Sequence, residues 1–158
     1  MQLAPDAVIG AYVPVPVLRH ELAHHLLPPR LETVPVWLDE GLAAWAAAGP
    51  GATVRRPGGA LARRMQQGGP LLPGDGDLGV DPERTYLVGA AAVEELVARR
   101  GIERVLTLRA TFSRGVPEGW DSVQATDPVL RAVYGTTGDA LARDVWRRLG
   151  LDPGLSGG

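Results

Sequence analysis

The sequence predicts a mainly α-helical fold, with at most one or two short strands near the N-terminus. Apolar residues recur three or four positions apart in several stretches, which is the spacing of one helix face. Proline and glycine separate these stretches and mark their ends. The chain has 158 residues, of which 45% are hydrophobic, and this fits one domain with one core. We assign residues 1–150 to that domain and expect residues 151–158 to form a flexible tail.

The first elements are bounded by proline and glycine. A short strand is expected at residues 7–13, whose sequence is AVIGAYV. The first helix is expected at about residues 17–27, because Pro28-Pro29 follows and cannot continue a helix. The second helix is expected at about residues 35–48, since proline suits its first turn and a Gly-Pro-Gly sequence ends it.

The remaining helices follow from their end signals. We expect them at about residues 59–67, 82–100, 102–114, 127–134 and 139–149. Gly101 is a C-terminal cap, and Asp127-Pro128 are an N-cap and first-turn pair. Residues 115–127 look irregular. The Gly- and Pro-rich stretch 68–81 predicts a loop, which we interpret as mobile and polar because it lacks the closing glutamate of an EF-hand calcium site.

Composition restricts the partners. The net charge is −2 and carboxylates outnumber the basic residues, all of which are arginine, so nucleic acid is not an expected partner. No apolar run approaches the ~18 residues of a membrane span, and the first residues lack the features of a signal peptide. The chain has no cysteine, which excludes disulfides and thiolate metal ligands.

The segment His20-Glu21-Leu22-Ala23-His24 carries a metal-binding pattern. On a helix the two histidines lie roughly 40° apart on one face, so both imidazoles can reach one zinc ion. Glu21 lies beside that face, where a general base can take a proton from a metal-activated water. The alternative is a pair of buried, hydrogen-bonded histidines without a metal. The full pattern favours metal binding.

The other faces of the first helix predict its packing. His25 falls roughly 140° from His20 on the helical wheel, so we interpret it as a partly buried structural histidine outside the site. Leu18, Leu22 and Leu26 form a separate apolar stripe. With one face for the core and another for the metal, the helix is expected to be mostly buried.

The second helix supplies candidates for the third ligand. A catalytic zinc usually has three protein ligands and one open position. Without cysteine, the third ligand is His, Asp or Glu, and Glu40 is well placed if the two helices pack antiparallel across their short connection. Asp39 is the rival candidate. Gly41 is small enough to permit a close approach of another element near the metal.

The run Trp37-Leu38-Asp39-Glu40-Gly41-Leu42-Ala43 resembles the W-L-N-E-G-F-A of M1-like gluzincin zinc metallopeptidases, within the peptidase MA group. The resemblance implies a zincin-like domain in which His20, His24 and Glu40 hold Zn²⁺, with Asp39 next to them. The later helices also resemble the layout of small bacterial peptidases of that group. The resemblance to this family implies a peptide or protein substrate and hydrolysis of a peptide bond.

A second match lies at Tyr86-Leu87-Val88-Gly89-Ala90, which resembles the family's Y-x-K-G-A on a long helix. The resemblance implies that the Tyr86 hydroxyl stabilises the oxyanion of the reaction. Val88 replaces the family's lysine. The alternative for Tyr86 is a core tyrosine with its hydroxyl at the surface.

The sequence departs from the family in one further motif, and two alternative hypotheses stay open. The sequence has no Gly-x-Met-Glu-Asn motif before His20, so the resemblance does not extend to aminopeptidase activity. The ImmA/IrrE-like regulatory proteases also favour H-E-L-A-H, although the W-L-D-E-G run fits them poorly. A non-catalytic, zinc-stabilised binding domain is the hypothesis of a different class, and Glu21 argues against it because a structural site needs no general base.

Overall fold

The computed structural model describes residues 15–49, 54–69, 71–114 and 116–154, and these ranges are mainly α-helical. They contain eight helices and no strand, which confirms the predicted fold class. The helices are α1 (Val15–Leu26), α2 (Val36–Ala48), α3 (Gly59–Gly68), α4 (Asp77–Val80), α5 (Pro82–Arg100), α6 (Ile102–Arg114), α7 (Ser122–Tyr134) and α8 (Gly138–Arg148). The strand expected at residues 7–13 lies outside the described residues. None of the described helices is long and apolar enough to cross a bilayer.

The ends of α5 illustrate why most predicted helix limits are accurate. The Asp81 side chain accepts a hydrogen bond from the Arg84 N–H at 3.2 Å, and Pro82 occupies the first turn. Gly101 ends the helix with a φ of 75°, which disfavours any side chain. Both α5 and α6 begin and end at the predicted residues.

The predicted start of α7 at Asp127 is wrong, because the helix begins at Ser122. Asp121 and Gln124 form a reciprocal capping box: the Asp121 carboxylate accepts from the Gln124 N–H at 2.8 Å, and the Gln124 side chain accepts from the Asp121 N–H at 3.1 Å. Pro128 therefore lies inside the helix. Asp127 accepts instead from the Gly138 N–H, beside the start of α8.

The stretch 68–81, which we predicted as a loop, contains the short helix α4, and Asp75 connects it to two other helices. The Asp75 carboxylate accepts from the Val36 N–H at 3.0 Å and from the Ser122 hydroxyl at 2.8 Å, and it pairs with Arg30. A remote carboxylate thus satisfies a free N–H at the start of α2, where Pro35 has no capping side chain. Near the C-terminus, Asp152 exchanges two backbone hydrogen bonds with the Gln66 side chain, which holds it beside α3.

The core lies between α2 and α5 and extends to α6, α7 and α8. Its largest fully buried side chains include Trp37, Leu38, Leu96, Phe112 and Trp146. The helices α6 and α8 pack on α5, α7 packs on both of them, and α1 packs on α2.

The helices α2 and α5 touch through their backbones where Gly41 faces Gly89. A Cβ atom at Gly41 would lie 2.4 Å from the Gly89 carbonyl oxygen, and one at Gly89 would lie 2.6 Å from the Trp37 carbonyl oxygen. These distances are shorter than any real Cβ contact. The predicted close approach at Gly41 is therefore confirmed, and it sets how near Glu40 and Tyr86 come to each other.

The helix α1 differs from the prediction because none of its residues is buried. Its inner face packs on α2, but Leu18, Leu22 and Leu26 are exposed by 58%, 49% and 74% in the part of the chain that the structure describes. No described element covers this leucine stripe. His25 is likewise exposed rather than partly buried.

The Gly41 contact is testable by substitution. Gly41→Ala must push α2 and α5 apart, so we expect a loss of about 3 kcal/mol or more in the free energy of unfolding, measured by urea denaturation. The matched control is Gly68→Ala, which meets no atom within 4 Å and should change stability by less than about 1 kcal/mol. Equal effects of the two substitutions would contradict the backbone contact.

Candidate metal centre

Three side chains from α1 and α2 converge on one point. The helices pack antiparallel: the second half of α1 contacts the first turns of α2, and the first half of α1 lies beside the end of α2. His20 Nε2 and His24 Nε2 are 3.2 Å apart, and each lies 3.3 Å from Glu40 Oε2. Within the described ranges, these three residues are the one group whose donor atoms could share a metal ion.

The dimensions of this triangle fit a tetrahedral ion. Ligand atoms bonded at ~2.0–2.1 Å with tetrahedral angles stand about 3.3 Å from one another. The measured separations are 3.2, 3.3 and 3.3 Å. The donor set is two imidazole nitrogens and one carboxylate oxygen, and three such electron-rich atoms in contact require a cation or shared protons between them.

Asp39 lies beside the His24 ring, on the side away from Glu40, and is not part of the triangle. Its Oδ2 lies 3.5 Å from His24 Nδ1, the ring nitrogen on the far side from Glu40. A negative charge on that side favours the tautomer with the proton on Nδ1, which leaves the Nε2 lone pair directed at the common point. Of the two carboxylates that the sequence offered as third ligand, Glu40 is the one in the triangle.

Arg109 on α6 holds Asp39 in place. Its Nε and Nη2 lie 2.8 and 2.7 Å from Asp39 Oδ1, and Nη2 also donates to the Pro28 carbonyl at 2.7 Å. Both side chains are buried, with Arg109 3% and Asp39 4% exposed as whole residues. Because a buried charge needs a partner, this pair connects the core to the site.

Sequence reasoning missed Arg109, although a signal was available. Val105, Leu108 and Phe112 form the buried face of α6, and Arg109 falls within that stripe. An arginine on an otherwise apolar helix face indicates a buried acidic partner elsewhere.

A cleft of about 600 Å³ lies beside the triangle. Its lining includes His20, Glu21 and Tyr86, so the structure brings the predicted base and the predicted oxyanion donor to the same opening. The Tyr86 ring meets the His20 ring edge-on, with centroids 5.5 Å apart. Partial burial, and then the charges of Glu40 and Glu21, raise the pKa of Tyr86, so its hydroxyl keeps its proton at neutral pH.

Comparison with protein-family models, with curated proteins and with solved structures finds no match to this chain.

The buried Arg109–Asp39 pair can be tested without any metal. Asp39→Ala leaves Arg109 buried and unpaired, so we expect a loss of about 3–5 kcal/mol in the free energy of unfolding in the presence of a chelator. The double variant Asp39→Ala/Arg109→Met should recover part of that loss, because it removes the isolated charge. If the stability loss of the double variant equals the sum of the losses in Asp39→Ala and in Arg109→Met alone, the pairing is contradicted.

Proposed function

We propose that this chain is a zinc metallopeptidase of gluzincin type, with His20, His24 and Glu40 as metal ligands. The observation that carries the proposal is the triangle of donor atoms, whose 3.2–3.3 Å sides suit Zn²⁺. The resemblance at residues 37–43 supports the same ligand set.

The donor chemistry favours zinc over the other common divalent ions. Calcium and magnesium prefer sites made entirely of oxygen ligands, whereas two imidazoles with one carboxylate suit zinc. A structural zinc site is closed by four protein ligands, but among the described residues only three donors converge, beside an open cleft. This argues for a catalytic site over the alternative of a non-catalytic, zinc-stabilised binding domain.

Each residue of the cleft has a role in peptide-bond hydrolysis. Zinc bound by the triangle would supply a Lewis acid that lowers the pKa of water. Glu21 takes the proton of the attacking water and returns it to the leaving amine. The Tyr86 hydroxyl donates a hydrogen bond to the oxyanion of the tetrahedral intermediate. Asp39 keeps His24 in the orientation and tautomer that leave Nε2 free.

Metal analysis tests the ligand set. We expect one zinc per chain in the purified protein, and loss of that zinc in His24→Ala and Glu40→Gln. The matched control is His25→Ala, which removes an exposed histidine one position from a ligand and should keep full zinc content. A chain that purifies without stoichiometric zinc, and takes up none when zinc is supplied, would overturn the proposal.

Glu21→Gln tests catalysis separately from metal binding. The amide keeps the size of the side chain but cannot accept the proton, so we expect kcat for peptide hydrolysis to fall by about 10²–10⁴-fold. Zinc content should not change, because Glu21 is outside the triangle. The measurement compares hydrolysis of a peptide mixture by zinc-loaded protein and variant. Full activity in Glu21→Gln would rule out its role as the base.

A further inference from the structure

The cleft beside the metal triangle extends along the first half of α1 and reaches the C-terminal end of α2. Arg19 lines it, together with Ala47 and Ala48 at the end of α2. Arg19 Nη1 lies 2.9 Å from the position that a Cβ atom at Gly49 would occupy. The guanidinium is therefore at the opposite end of α2 from Glu40.

Arg19 forms no ion pair and no side-chain hydrogen bond with any described residue. Several other arginines share this property, but Arg19 is the one among the described residues that lines this cleft. The guanidinium of Arg19 presents up to five donors in a planar fork that matches a carboxylate. Its donors face a cleft whose other described charge, Glu21, has the opposite sign and the catalytic role.

Small, apolar side chains form the walls of the cleft that Arg19 and Glu21 share. Val17 on α1 and Ala44, Ala47 and Ala48 on α2 form them. Such walls leave room for an extended peptide and offer its backbone no competing charge. Arg19, the one arginine among the described residues that line the cleft, then distinguishes one end of a bound peptide from the other.

We propose that Arg19 is a specificity residue that binds a carboxylate of the peptide substrate about four residues from the scissile bond. This inference depends on the proposed function for the reaction, and it adds a substrate class to it. Nine positions separate Glu40 from Gly49, which is about 14 Å along a helix. An extended peptide rises about 3.3 Å per residue, so about four residues span that length.

Two sources of carboxylate meet this requirement, namely a free C-terminus and an Asp or Glu side chain. The experiment first maps a cleaved bond by mass spectrometry with the zinc-loaded protein. It then compares matched peptides that end in an acid or an amide two to six residues from that bond, and longer peptides with Glu or Gln at the same positions. The first set reports on a C-terminus and the second on a side chain.

We expect one of the two sets to show a preference for the carboxylate of about tenfold in kcat/KM, greatest near the fourth position. In Arg19→Gln the ratio of acid to amide should fall towards one, and in Arg19→Lys it should be intermediate, because lysine keeps the charge without the fork. Arg19→Glu should reverse the preference in favour of a Lys-containing peptide. The matched control, Arg143→Gln, changes an exposed arginine of α8 and should keep the wild-type ratio.

A binding measurement separates failure of this inference from failure of the proposed reaction. Binding of labelled acid and amide peptides to the Glu21→Gln protein is measured by fluorescence anisotropy, which needs no hydrolysis. If no cleaved bond is found, peptides of every length in the set are tested for binding. A carboxylate preference in binding that Arg19→Gln abolishes supports the inference even if no peptide is hydrolysed. Equal affinities for acid and amide, or a preference that Arg19→Gln retains, would overturn it and leave the hydrolytic proposal intact.

Discussion

The backbone contact between Gly41 on α2 and Gly89 on α5 is the constraint on which the rest of the structure depends. With no side chain at either position, the two central helices approach until a carbonyl oxygen of one meets the Cα region of the other. Glu40 precedes one glycine and Tyr86 lies one helical turn before the other. The contact that builds the centre of the core therefore also positions one residue of the triangle and one residue of the cleft. A methyl group at this crossing would act on both.

The buried Arg109–Asp39 pair extends this constraint to electrostatics. Two opposite charges removed from water must satisfy each other, and their orientation is consequently well defined. The other oxygen of Asp39 lies 3.5 Å from the His24 ring, so the carboxylate that Arg109 holds also places its charge beside an imidazole of the triangle. Residues of three helices that are distant in sequence therefore meet beside the triangle.

The helix α1 contributes two of the three donors, yet no residue of it is buried. No residue of α1 belongs to the described apolar core, and the three donor atoms of the triangle repel one another unless a cation or shared protons lie between them. An ion held by His20, His24 and Glu40 would join α1 to α2, so its binding would be coupled to the docking of α1. Leu18, Leu22 and Leu26 are exposed, so burial of these side chains adds little to the stability of the docked α1. The docking of α1 would then depend more strongly on the ion.

Local sequence determined the helices whose end signals have no competitor, such as α5 between Asp81 and Gly101, and it determined which side of α1 carries His20 and His24. It left the start of α7 open, because Asp121 with Gln124 and Asp127 with Pro128 are competing capping sequences, and in the folded chain Asp127 accepts from the distant Gly138 N–H. The packing of α1 and the choice of Glu40 over Asp39 at the triangle depend on what each face meets. Only the tertiary structure decided these points, since helical periodicity gives the direction of a side chain but not its partner.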